Sequence, residues 1–169
     1  RSKGGVYRSS DRGETWKKLS NAIAGSTGPH YYQEIFASPH KFDRIYIVGP
    51  AIQVSENGGK TFRNLEGSRQ KHGDHHAIAF KKSDPDYILV GTDGGVYETF
   101  DLAQNWHYFL NLPLTQFYKV AVNNQEPFYH IFGGTQDNGS AGGPSASIES
   151  RGITNREWYK TLGSDGHQS

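Results

Sequence analysis

One eight-residue segment occurs three times in this chain at a nearly constant interval, and that repetition constrains the fold more than any other feature. SSDRGETW runs from Ser9 to Trp16, SENGGKTF from Ser55 to Phe62, and TFDLAQNW from Thr99 to Trp106. Aligned on the final aromatic, the copies stand at 16, 62 and 106, steps of 46 and 44 residues. A period of roughly 40–50 residues belongs to solenoids, propellers and arrays.

The chemistry of the segment reads as a hairpin. Asp11 and Asn57 carry short side chains that bond backbone N–H groups two positions on. Gly13 and Gly59 tolerate positive φ. Thr15 and Thr61 are β-formers whose hydroxyls can close the turn, and Trp16 and Phe62 are apolar anchors for the strand that follows. The third copy keeps Asp101 and Trp106, with Ala103 for glycine and Asn105 for threonine. Strand-like runs precede each copy (GGVYRS, AIQVS, GGVYET) and short strands follow (KKLS, RNLE, HYFLN). Upstream, 32–50, 76–92 and 117–134 share an alternating strand, a turn rich in Pro, Asp or Asn, and a second β-rich strand. The unit is therefore four short antiparallel strands, which is one propeller blade.

These units fall at roughly 1–20, 31–66, 75–111 and 117–169, about three and a half blades in one partial domain. In the fourth, TQDNGSAGGPSASIESRGITNRE (135–157) stands where a hairpin is expected, and it reads as a long polar loop. The fold class is all-β. A propeller closes with about 4–8 blades. The expectation is thus a piece of a larger, seven-bladed propeller whose open faces are covered by the rest of that propeller or by a partner chain.

Composition narrows the function. Among 169 residues, 18 Lys and Arg face 17 Asp and Glu, with no basic run, which argues against nucleic acid. No run of 18 apolar residues is present, so no membrane span is expected. There is no cysteine, hence no disulfide framework or thiol chemistry.

Polar residues with chemical potential gather at the blade turns remote from the repeated hairpins. KHGDHHA places His72, Asp74, His75 and His76 ahead of a strand. GTDGG places Asp93 after the next one, and GGTQDNG places Gln136, Asp137 and Asn138 one period later. Gln116 and Tyr118 lead into the fourth unit, and GSDGHQS carries Asp165 and His167. Three readings compete. Two carboxylates across a sugar would suit glycoside hydrolysis. His72, Asp74, His75 and His76 with Asp93 have the donor types for a transition metal. Adjacent His75 and His76, however, point to opposite faces of a strand, and no established ligand spacing occurs. The third reading is structural, because Asp-Gly-Gly and Asp-Asn-Gly are turn formers. No metal and no cofactor are assigned. Tyr31 and Tyr118 are candidate stacking platforms for sugar rings.

The octapeptide matches the Asp-box, or bacterial neuraminidase repeat. With HGDHHAIAF, GTDGGVYETF, TQFYKVAV and GGTQDNGS, nearly the whole chain resembles secreted sortilin-like and xyloglucanase-like propellers. The resemblance implies that the boxes (Ser9, Asp11, Gly13, Thr15, Trp16; Ser55, Asn57, Gly59, Thr61, Phe62; Asp101, Trp106) are peripheral and structural. It also implies a secreted or periplasmic module that binds a glycan or protein ligand on its channel face through His72, Asp74, His75, His76, Gln116, Tyr118, Gln136 and Asn138. The alternatives are a xyloglucanase-like hydrolase, with Asp93 as one catalytic carboxylate and Asp137 or Asp165 as the other, and a non-catalytic assembly scaffold.

Overall fold

The computed structural model describes residues 4–24, 32, 34–65, 71–112 and 114–166. The chain divides into two compact units, 1–110 and 111–169. The first holds three sheets. Strands β1 (Val6–Arg8) and β2 (Lys17–Ser20) pair as a two-stranded sheet. Strands β3 (Glu34–Ala37), β4 (Ile45–Val48), β5 (Gln53–Ser55) and β6 (Arg63–Asn64) form a four-stranded antiparallel meander. A second meander follows in β7 (His75–Phe80), β8 (Ile88–Thr92), β9 (Gly95–Thr99) and β10 (His107–Tyr108). The second unit is one meander of β11 (Lys119–Val122), β12 (His130–Thr135), β13 (Gly139–Pro144) and β14 (Tyr159–Leu162). The protein is all-β and built of propeller blades, half of one followed by three.

Two apolar clusters hold the first unit together. Tyr46, Val48, Ile52, Val54 and Leu65 from the β3–β6 segment meet Ile78, Ile88, Val90, Ala103 and Trp106 from the β7–β10 segment. Val6, Ala24, Tyr32 and Ile47 form the smaller cluster between the two-stranded sheet and its neighbour. Burying each large aliphatic side chain contributes roughly 1.5–3 kcal/mol. The alternation of β4 is blurred because it packs on both faces, Tyr46 and Val48 in the larger cluster and Ile47 in the smaller.

The boxes join β1 to β2, β5 to β6 and β9 to β10, and close almost entirely on themselves. Ser9 Oγ donates to Asp11 Oδ1 (2.7 Å) and accepts from Gly13 N (2.7 Å), while Asp11 Oδ1 accepts Thr15 N (2.9 Å). Ser55 and Asn57 repeat this with Gly59 N (2.9 Å) and Thr61 N (3.0 Å). In the third copy Thr99 takes the serine's place, bonding Asp101 Oδ1 (2.7 Å) and Ala103 N (3.0 Å). Asn105 N donates to Asp101 Oδ1 (2.9 Å) and Asn105 Nδ2 to Asp101 Oδ2 (2.7 Å). Each turn carries two consecutive left-handed residues: Arg12 and Gly13, Gly58 and Gly59, Leu102 and Ala103. The hydroxyl and carboxylate scaffold thus imposes the turn even where both residues bear a Cβ.

The second unit corrects one expectation. The stretch 135–157 is not a single loop. Gln136–Asn138 turns β12 into a full strand, β13, that pairs with β12 along its length and with β14 on its other side. Its sequence, GSAGGP, carries no apolar alternation, so nothing local announces a strand. Glycine is required there by close approach: a Cβ on Gly143 would lie 2.5 Å from the Trp158 ring, and one on Gly142 would lie 2.8 Å from that of Phe132. Aromatic rings therefore do the covering that side chains of the strand do elsewhere. The irregular segment is 145–158, with a turn of 3₁₀ helix at Asn155–Glu157, and it occupies the connection where the other sheets carry a box.

Candidate functional site

In an antiparallel meander the first-to-second and third-to-fourth connections share one end of the sheet, and the second-to-third connection lies at the other. The boxes occupy the first end. Asp93, in the β8–β9 turn, and Asp137, in the β12–β13 turn, occupy the second, each in its own unit.

In the first unit the turn at Asp93 is braced by Thr92, whose hydroxyl donates to Gly95 O (3.0 Å) and accepts from Gly94 N (3.0 Å). The Asp93 amide donates to Asp74 O (3.2 Å), which ties the turn to the entry of β7. Asp74 itself is left-handed (φ 53°), and its amide donates to Pro50 O (3.2 Å) in the β4–β5 turn. A β-bulge follows, because His75 pairs with Thr92 and Ala77 with Gly91. The bulge leaves His76 outside the regular register, and its Nε2 reaches Asp93 Oδ1 at 2.7 Å. The His76 side chain is 37% exposed and that of Asp93 only 9%. Tyr32 completes the cluster: its hydroxyl donates to Asp74 Oδ1 (2.9 Å), and its ring stacks on His76 with centroids 5.5 Å apart and planes 23° apart. Asp74 and Asp93 offer carboxylate oxygens within 4.8 Å of each other. A recess of about 20 Å³, bounded by Tyr32, Glu34, Val48, His75 and His76, lies beside them. That is room for one water.

The other predicted residues of this unit stand behind the cluster. His75 is fully buried. Its ring is engaged by Gly49 O (2.8 Å) and Lys71 Nζ, so it faces the interior and does not present a ligand surface. Strand alternation, noted from the sequence, is the reason the two adjacent histidines separate in this way. His72 fills the space over Gly94, where a Cβ would come within 2.5 Å of the imidazole, and its Nδ1 bonds Gly73 O (3.1 Å). Sequence reasoning missed the pairing of Tyr32 with Asp74, 42 positions apart, and it missed Lys71. Tyr31 and His167 lie outside the described residues.

In the second unit, Asp137 is again left-handed (φ 56°). Its amide donates to Asp165 Oδ1 (2.8 Å), so the Asp165 carboxylate serves as a cap on the turn. Asn138 Nδ2 donates to Gln136 O (2.9 Å), and the Thr135 hydroxyl donates to Gly139 O (3.0 Å), the counterpart of the brace at Thr92. Asp137 and Asn138 are exposed at the tip. Gln116 is exposed ahead of β11, and the Tyr118 amide donates to Gly134 O (2.8 Å) while its side chain is largely exposed. Separately, a concavity of about 810 Å³ opens on the 145–158 connection beside Arg151 and Arg156.

The family model described as "Sortilin, neurotensin receptor 3" (Sortilin-Vps10) matches residues 4–150. The oligoxyloglucan-reducing end-specific xyloglucanase of Emericella nidulans is 29% identical over 110 residues, covering 59% of this chain and 14% of that protein. The chain thus spans about one seventh of the length of this curated relative. The solved structure of YCF48 bound to D1 peptide aligns with a TM-score of 0.45 at 17% identity, over 82% of this chain and 45% of that one.

Proposed function

The chain belongs to the Sortilin-Vps10 family, and from that premise we propose that it is the part of an extracellular or periplasmic propeller that binds a glycan through Tyr32, Asp74, His76 and Asp93. One observation carries this reading: two aspartates with oxygens within 4.8 Å of each other are oriented by a phenol and an imidazole at the sheet end away from the boxes. Carboxylates held this way keep acceptor capacity for sugar hydroxyls. Asp93 is also nearly buried, which raises the value of each bond it makes. The partly exposed His76 ring, backed by the buried Tyr32 ring that stacks on it, offers one edge to a sugar. The xyloglucanase name of the relative favours a glycan over a protein ligand.

A second reading, glycoside hydrolysis, is favoured by the same separation. Retaining glycosidases place their carboxyl groups about 5–5.5 Å apart. Within the first unit Asp74 offers Asp93 a second carboxylate, alongside the Asp137 and Asp165 that the sequence suggested as partners.

Titration of the full-length protein with a xyloglucan oligosaccharide tests both. Asp93→Asn is expected to weaken binding at least tenfold, because the acceptor facing His76 becomes neutral. Reducing-sugar release that disappears in both Asp74→Asn and Asp93→Asn assigns hydrolysis. Binding without turnover assigns a recognition module. Binding unaffected by Asp93→Asn refutes the site.

A further inference from the structure

His75 is the most buried titratable side chain of the first unit, and ligand contact gives it no role. Its hydrogen bonds are specific. Gly49 O accepts both from the His75 backbone amide (2.9 Å) and from Nδ1 of the same residue's ring (2.8 Å). A carbonyl can only accept, so Nδ1 carries the proton and Nε2 presents a lone pair. Lys71 Nζ meets that lone pair, and the same ammonium lies 5.2 Å from the centre of the Trp106 ring. The imidazole is therefore a neutral strut between the β4–β5 turn and the core.

The strut stands between the two site residues that flank it in sequence. Asp74 precedes it in a left-handed conformation, which a residue with a Cβ adopts only at an energetic cost. That conformation needs external support. Its amide is held by Pro50 O and its carbonyl by Asp93 N, and Pro50 follows the glycine that His75 grips twice. His76 follows in the bulge. Fixing the β4–β5 turn against His75 thus fixes Asp74, and through Asp74 the turn that carries Asp93.

We infer that His75 is the positioning residue of the glycan site, holding Asp74, His76 and Asp93 in register through the Nδ1–Gly49 bond while never touching ligand. This rests on the binding reading proposed above. Two amide substitutions separate the ring's two nitrogens. His75→Asn places an N–H donor near the position of Nδ1, and His75→Gln places one near that of Nε2.

The test compares both variants and Asp93→Asn with the unaltered full-length protein, by titration with a xyloglucan oligosaccharide and by hydrogen exchange at the Asp74, His75 and Asp93 amides. His75→Asn is expected to bind within about threefold of the unaltered protein. His75→Gln is expected to lose at least tenfold, with faster exchange at those three amides and unchanged exchange in β12. A role in stability alone predicts equal affinity for every variant that remains folded, and equal affinity of the two folded amide variants overturns the inference. So does a folded His75→Asn that has lost binding, which also decides the matter should His75→Gln not fold. If Asp93→Asn binds normally, the binding site itself is refuted and this inference falls with it. If Asp93→Asn loses affinity and both His75 variants keep theirs, only the positioning role fails.

Discussion

Strand glycines at neighbouring positions in this fold differ sharply in what surrounds them, and Gly134 is the extreme case. A Cβ built on Gly134 would lie 1.5 Å from Gly166 O and 2.3 Å from Gly166 C. The obstacle is main chain, so no rotamer change relieves it. The segment at 165–166 would have to leave β12, and two bonds would go with it: Gly166 N to Thr135 O (3.0 Å) and Asp137 N to Asp165 Oδ1 (2.8 Å). Each contributes about 0.5–1.5 kcal/mol, rather more where the acceptor is charged. Gly134→Ala is therefore expected to destabilise the second unit by about 2–3 kcal/mol, within the usual range for overpacking. Gly91 in β8 is the control, because its added Cβ would sit 3.7 Å from Ala77 Cβ, an ordinary contact. Glycine costs a strand interior about 0.5–1 kcal/mol relative to alanine, so Gly91→Ala should be neutral or stabilising by up to that amount. Urea unfolding of both variants, with hydrogen exchange at the Asp137 amide, measures the contrast. Gly134→Ala within about 0.5 kcal/mol of the unaltered protein, or Gly91→Ala as damaging as Gly134→Ala, would refute the reasoning.

The boxes yield three further expectations. Thr99→Val keeps the shape of a fully buried side chain and removes the hydroxyl that accepts from Asp101 N and Ala103 N, so it should cost about 1–3 kcal/mol in chemical denaturation. Hydrogen bonds from Asn105 and Thr99 lower the Asp101 carboxyl to about 2, and those from Ser9 and Thr15 hold Asp11 well below the ordinary carboxylate value. Both are depressed in the folded state, so their stabilisation is complete above about pH 4. That of Asp101 is lost as the pH falls toward 2. Denaturation midpoints across pH 2–5 should therefore fall less steeply in Asp101→Asn than in the unaltered protein. Arg12 is left-handed (φ 59°) at the exposed tip of the first box, so Arg12→Gly should raise stability by roughly 0.5–1 kcal/mol, the strain relieved less the added freedom of the unfolded chain. Thermal unfolding of the single variant checks it.

Much of the frame was legible because its signals are local. Each box declares itself in eight residues, since most of the bonds that shape it run between positions two to four apart. The strands before and after the boxes were legible by alternation and β-branched content. Strand β13 was not, because its evidence is entirely non-local: pairing on both edges, and the rings of Phe132 and Trp158 lying where side chains would otherwise be. The site divides the same way. Asp93 and His76 could be marked from turn chemistry and strand position. The contact of Tyr32 with Asp74 joins residues 42 apart, and the opposed fates of His75 and His76 depend on which carbonyl of the β4–β5 turn lies beneath the strand.

That division follows from how the two ends of a sheet are wired. At the box end, donors and acceptors are satisfied mostly within a single hairpin, so the motif survives exchange of serine for threonine, aspartate for asparagine and glycine for alanine, provided the bond pattern is kept. At the other end of the first unit, Asp93 bonds Asp74, Asp74 bonds Pro50, and His75 bonds Gly49, so the β4–β5 turn is held by residues of the next sheet. A substitution there alters geometry across two sheets at once. The same arrangement lets side chains from separate blades converge within hydrogen-bonding distance, which the self-contained boxes cannot do. The proposed binding reading uses the end whose bonds are shared, and the repeated motif holds the frame steady at the other.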